Sequence, residues 1–233
     1  FPFIVMWTVG FVDDKRGLSP KVRLFMELAG GFSISYIIFG YSFFDSTILA
    51  FVFAVAVNAY NMVDGLDGIC AGNTIIFAIF AFIAGFSPDI SLAIAGAFAG
   101  YLMYNFPPAK IFMGDQGSYL AGTFVGLLLI QSWESQNFVR IAAFCWPVVL
   151  DLFIGFARRS LAGKSPLKGD RDHYYDKIFA ITGKKKRATF FITSSIALFY
   201  ALVGFLLPVT AIPFVLMASS VVQVFLLKSL RST

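Results

Sequence analysis

The chain has 233 residues, 58% of them hydrophobic and only 13% charged, with a formal net charge of +5 and twenty-nine phenylalanines. A soluble domain of this length would carry about twice that charged fraction, so a water-soluble globular protein is excluded. With a mean hydropathy of +0.80 and long apolar stretches recurring along the whole chain, the sequence predicts a polytopic membrane protein.

The first apolar stretch, Phe1 to Val12, is too short to cross a bilayer, which takes roughly 20 residues. It reads as the tail of a helix whose beginning is missing, and it lacks the basic start and cleavage site of a signal peptide. Eight full spans are predicted after it, near 21–40, 46–62, 72–87, 90–106, 118–131, 138–157, 188–207 and 211–228. The predicted fold class is therefore all-α: a transmembrane helical bundle of about eight full spans plus a partial N-terminal one, forming a single catalytic domain over residues 1–233. Several spans are shorter than ideal, so their helices are expected to run into the loops. Pro147 is expected to kink the sixth span. Cys70 and Cys145 lie in different segments and suggest no disulfide framework.

The loops alternate in character. Those near 13–23, 61–72, 107–118 and 158–187, with the tail from residue 228, hold all but one of the eighteen Lys and Arg; the opposite set holds only Arg140. By the positive-inside rule the first set is cytoplasmic. Anionic lipid headgroups and phosphorylated substrates fit such a basic face better than nucleic acid, so no nucleic-acid partner is expected. The basic run GKKKR at 183–187 reads as a membrane-flanking topology signal.

The unusual polar residues all fall on that same face. Asp13 and Asp14 close the partial first helix in FVDDKRG. Asn58, Asn61, Asp64 and Asp67 follow the apolar run TILAFVFAVAV at three-residue spacing in NAYNMVDGLDG, which on a helix makes one polar stripe facing the bundle interior. Asp115 stands in FMGDQGS, and Arg171 and His173 in the basic loop SPLKGDRDHYYD. Read blandly, the stripe is a solvated helix end or interhelical glue, and the Asp13–Asp14 pair is an ordinary turn. Asp151, in an apolar span, is either a structural partner for a basic residue or a site residue.

Five carboxylates (Asp13, Asp14, Asp64, Asp67, Asp115) converging from three helix ends would repel one another unless countered. A divalent cation is the economical counter-ion, and amide and carboxylate oxygens suit Mg²⁺, or Mn²⁺, rather than zinc. Beside the acids lie Lys15, Arg16, Lys110, Arg158, Arg159, Lys164, Lys168 and Arg171. Carboxylate-held metal with Lys and Arg is the apparatus of phosphoryl chemistry.

In this order, FVDDKRG, NAYNMVDGLDG, FMGDQGS and the run from Pro147 through Asp151 and Arg158–Arg159 to Arg171 and His173 resemble the polyprenyl-phosphate N-acetylhexosamine-1-phosphate transferases. The resemblance covers nearly the whole chain. It implies a ten- or eleven-helix membrane enzyme with a cytoplasmic site. Such an enzyme transfers a sugar-1-phosphate from a UDP-sugar to a polyprenyl phosphate, releases UMP and initiates cell-envelope glycan synthesis in a prokaryotic cytoplasmic membrane. It allows a homodimer. Carried over by position, Asn61 and Asp115 hold Mg²⁺. Asp13 and Asp14 bind or activate the lipid phosphate, Asp64 and Asp67 shape the nucleotide-sugar site, and His173 completes the catalytic candidates. Asn58, Lys110 and Arg171 are the substrate-binding candidates.

Two departures stand out. The family's basic loop ends in HxHH, where this chain has His173, Tyr175 and Asp176. The family also has two helices ahead of the acidic pair, so the chain reads as a fragment or a reduced relative. The rival readings are a non-catalytic lipid-binding relative, a cation transporter and an intramembrane prenyltransferase. Transport predicts acids near the bilayer midplane on broken helices, and the last class uses acids four apart.

Overall fold

A computed structural model describes residues 1–165 and 171–229. Lys168 lies outside the described residues. The described chain is all helix and turn, and ten α-helices follow in order: α1 (Pro2–Arg16), α2 (Pro20–Ser33), α3 (Phe43–Val63), α4 (Ile69–Ile83), α5 (Pro88–Asn105), α6 (Gly114–Gln131), α7 (Asn137–Leu161), α8 (Tyr174–Ile181), α9 (Lys186–Leu206) and α10 (Ile212–Ser229). A π-helical turn, Ile34–Ile38, extends α2.

Local chemistry sets the helix starts. Ser19 accepts the Val22 amide ahead of Pro20, and Ser42 accepts the Asp45 amide, so each hydroxyl satisfies a donor that a helix start leaves without a partner. Each predicted span has its helix, and several run into the loops as expected: α7 extends through Leu161 and α6 begins at Gly114. Pro147 lies within α7, which continues through it. The short α8 falls in the basic loop, where no helix was expected. Among the described residues α3, α7 and α9 are long and apolar enough to cross a bilayer by themselves, and α4 and α10 are shorter apolar helices. Large apolar side chains such as Phe25, Phe51, Phe153 and Phe214 point outward. Such an exterior suits a membrane helical bundle, in which the lipid is the solvent.

Helix α3 sits among α2, α6 and α7, while α1 lies along α6. Small residues allow the close approaches. A Cβ on Gly122 of α6 would stand 2.4 Å from the Val57 Cα of α3, and one on Gly31 of α2 would stand 2.7 Å from the Phe53 Cβ. Midway along α1, a Cβ on Gly10 would lie 2.6 Å from the Asp115 carbonyl oxygen. These contacts bring the ends of α1, α3 and α6 to one place.

Gly122→Val should therefore overpack the α3–α6 seam and destabilise the protein by about 1–3 kcal/mol, read as a lower unfolding temperature in detergent. Gly100→Val, where a Cβ meets open space, should leave that temperature nearly unchanged.

Candidate active site

The expected stripe does not run along one helix. Asn58 and Asn61 lie on α3, but α3 ends at Val63, and Asp64 is its C-cap at φ −78° and ψ 36°. Asp67 lies in the turn beyond, before Gly68 takes φ +78° and opens α4. A glycine adopts that left-handed conformation without the Cβ penalty, so the chain breaks where a continued stripe would have needed helix. The Asp67 carboxylate is fixed from two sides, by the Ala109 amide and the Lys186 ammonium, each at 2.9 Å. Asn105 joins the same loops: its Oδ1 accepts the Gly68 amide at 2.8 Å, and its Nδ2 donates to the Ile111 carbonyl at 2.8 Å.

The FMGD element forms the start of α6. Gly114 has φ +66°, and Asp115 sits in the first turn. Asn61 Nδ2 donates to Asp115 Oδ1 at 2.7 Å and to Ser118 Oγ at 3.1 Å. The α6 start has no side-chain cap of its own. Asp14 supplies one from α1, accepting the Asp115 amide at 3.0 Å and the Gln116 amide at 3.3 Å. Asp13 is buried and turned the other way, accepting from the Leu18 amide (2.7 Å), Arg23 Nη1 (3.2 Å) and the Tyr119 hydroxyl (3.3 Å). Arg23 also stands 4.0 Å from Asp115 Oδ2.

Asn61, Asp64, Asp67, Asn105 and Asp115 line one cavity of about 360 Å³, walled by Gly65, Leu66, Phe112, Met113 and Gly114. Burial, with Asp115 and Asp14 nearby, pushes the Asp64 carboxyl up to about 7. Burial acts on Asp67 in the same direction, but the Ala109 amide and Lys186 outweigh it and hold that group below the ordinary carboxylate range.

The remaining predicted residues lie elsewhere. Asn58 is one turn deeper and does not line the cavity; it donates to the Ala54 carbonyl at 2.9 Å and to the buried Glu27 Oε2. His173 is buried at the start of α8, with Nδ1 2.6 Å from Asp151 Oδ2. The other Asp151 oxygen accepts the Tyr174 amide at 2.8 Å, so Asp151 is the structural partner of a ring. Lys110 and Arg171 are exposed and outside the cavity wall. The basic run is more than a topology signal. Lys186 binds Asp67, and Arg187 donates to the Pro107 carbonyl at 2.9 Å and lies 5.8 Å from the Phe106 ring centroid.

Sequence reasoning missed Arg23, Glu27, Asn105, Tyr119 and Lys186. Glu27 carried a usable signal, because an ionisable residue inside an apolar span is costly. The others are ordinary residues made special by partners distant in sequence.

The donor set around Asn61 and Asp115 suits a hard divalent ion. It offers amide and carboxylate oxygens at a place where burial, with the neighbouring acids, raises the pKa of Asp64 and Asp115. Among the described residues no group of three His, Cys, Asp or Glu side chains is arranged to hold an ion alone.

Fold and site together define a class: a polytopic membrane protein whose acids and amides gather at one end of the bundle. The chain belongs to glycosyl transferase family 4, whose model matches residues 1–133. It is 30% identical to a decaprenyl-phosphate N-acetylglucosaminephosphotransferase of Mycolicibacterium smegmatis, over 81% of this chain and 57% of the relative. It is likewise 30% identical to a probable undecaprenyl-phosphate N-acetylglucosaminyl 1-phosphate transferase of Bacillus subtilis (90% and 63%) and to an undecaprenyl-phosphate alpha-N-acetylglucosaminyl 1-phosphate transferase of Escherichia coli (83% and 61%). The chain thus spans less than two thirds of the length of these relatives.

Asp64 has a raised pKa, so folding is favoured when it is protonated. Its destabilising charge is absent below about pH 4 and grows until the group has ionised through about 7. In EDTA, Asp64→Asn should melt like the wild type at acid pH and above it at pH ~8. Parallel melting curves across the range would show that Asp64 is not buried among acids.

Proposed function

We propose that this chain carries the site of a polyprenyl-phosphate N-acetylhexosamine-1-phosphate transferase in a prokaryotic cytoplasmic membrane, with the site facing the cytoplasm. The carrying observation is the 2.7 Å contact between Asn61 and Asp115, side chains from two helix ends that share one cavity with Asp64 and Asp67. The asymmetric Lys and Arg distribution supports the orientation, and the names of the relatives support the substrates.

In the reaction an oxygen of the lipid phosphate attacks the sugar-linked phosphorus of the UDP-sugar. A new P–O bond forms, the diphosphate bridge breaks, and the bridging oxygen leaves with its electron pair on UMP. Mg²⁺, held by Asp115 and Asn61, would supply charge neutralisation on the diphosphate. The chain's own residues orient the reactants. Asp14 fixes the α6 start and with it Asp115. Arg23, between Asp13 and Asp115, holds a cation beside the Asp115 carboxylate. Both oxygens of Asp14 accept backbone amides and both of Asp13 have partners, which gives each carboxylate a structural task rather than that of a base. None is required, because a phosphate with a second pKa near 6 is ionised at neutral pH. Asp67, held ionised by Lys186, offers a fixed acceptor to the nucleotide-sugar.

The acids of the cavity lie at helix ends on one face, which favours this reading over a cation path through the bilayer.

Membranes containing the full-length protein should convert labelled UDP-N-acetylhexosamine and polyprenyl phosphate into a lipid-linked product, and EDTA should stop the conversion. Asp115→Asn should lower turnover by at least about 100-fold, whereas Lys185→Ala should stay within about twofold. Equal turnover in the two variants would remove Asp115 from the site.

A further inference from the structure

Tyr175 reaches the wall of the cavity from outside. It is buried at the start of α8, and its hydroxyl donates to the Met62 carbonyl at 3.0 Å, in the last turn of α3. Burial, with Asp176 and Asp151 nearby, raises its pKa, so the phenol stays protonated and remains a donor. Its ring stacks on His173, with centroids 5.5 Å apart and planes 11° from parallel. The hydroxyl also lies against Gly65 in the cavity wall, where a Cβ would stand 2.0 Å from the oxygen. Gly65 is not among the glycines of positive φ, so its backbone does not demand glycine. The space taken by the phenol does.

One side chain thus joins the His173 loop to the turn that carries Asp64 and Asp67. The geometry points to Tyr175 as a positioning residue for the sugar-nucleotide, acting through the 64–68 turn rather than by touching the ligand. This rests on reading the cavity as the nucleotide-sugar site. The hydrogen bond to Met62 fixes where α3 ends, and the ring against Gly65 fixes the path of the turn between Asp64 and Asp67.

Tyr175→Phe removes the hydroxyl and keeps the ring. In full-length protein in lipid nanodiscs, backbone amide exchange over residues 64–69 should quicken roughly 3- to 10-fold, the worth of one neutral hydrogen bond. UDP affinity should weaken by a similar factor, with the global unfolding temperature nearly unchanged. Gly65→Ala, which displaces the phenol, should reproduce both effects. Unchanged exchange in Tyr175→Phe overturns the proposal, and so does faster exchange with unaltered UDP affinity, which would leave Tyr175 a purely structural role. A wild type that binds no UDP, while Tyr175→Phe still exchanges faster, sinks the nucleotide-sugar reading and keeps the coupling of loop to turn.

Discussion

The candidate site depends on how the first turn of α6 is satisfied. A helix start exposes amides without intrahelical partners and carries partial positive charge. In α6 these amides are met by Asp14, the last acid of α1. The approach leaves no room for side chains: a Cβ at Gly114 would stand 2.6 Å from Asp14 Oδ2, and one at Gly10 would stand 2.6 Å from the Asp115 carbonyl oxygen. Capping therefore locks α1 onto α6, and that lock sets the direction of Asp115 toward Asn61 on α3. Two adjacent acids do different work. Asp14 holds backbone, while Asp13 faces inward to Arg23 and Tyr119.

The charges of the site are unevenly countered. Asp13 has Arg23, and Asp67 has Lys186. Asp64 has no cationic partner among the described residues, and its neighbours Asp115 and Asp14 are acids. An uncompensated carboxylate in a cavity open enough for a ligand is a poor arrangement for stability and a useful one for binding. The proposed divalent ion would offset Asp64 and Asp115, which the Arg23–Asp13 and Lys186–Asp67 pairs leave largely uncompensated, and so lessen the repulsion of an anionic diphosphate.

The bundle was legible because span length and Lys/Arg asymmetry are local properties of the chain. Asp115 and Asn61 were legible as candidates because acids and amides at the ends of apolar runs stand out. The pairing of the loops was not. Asn105 reads as one amide at the end of a span, yet its two bonds stitch the 64–68 turn to the 107–113 segment. Lys186 reads as one lysine in a run of three, and only the fold singles it out by facing Asp67. The three-residue spacing misled for a physical reason. It presumes continuous helix, and the chain leaves the helix at Asp64 and turns at Gly68. The carboxylates still reach one cavity, by a turn rather than along a face.

The side chains that follow His173 have their tasks in the same terms. Asp176 accepts the His173 amide at 3.1 Å and so helps start α8. Tyr175 spans to the end of α3, a distance that suits a phenol better than the shorter imidazole. His173 is held by Asp151 through Nδ1, so its ring is oriented by α7 and its stacking face by Tyr175. Asp176 and Tyr175 are thus a helix cap and a tether, both of which act on backbone. Between them they leave one oriented imidazole, His173, on a loop tied mechanically to the acid cavity.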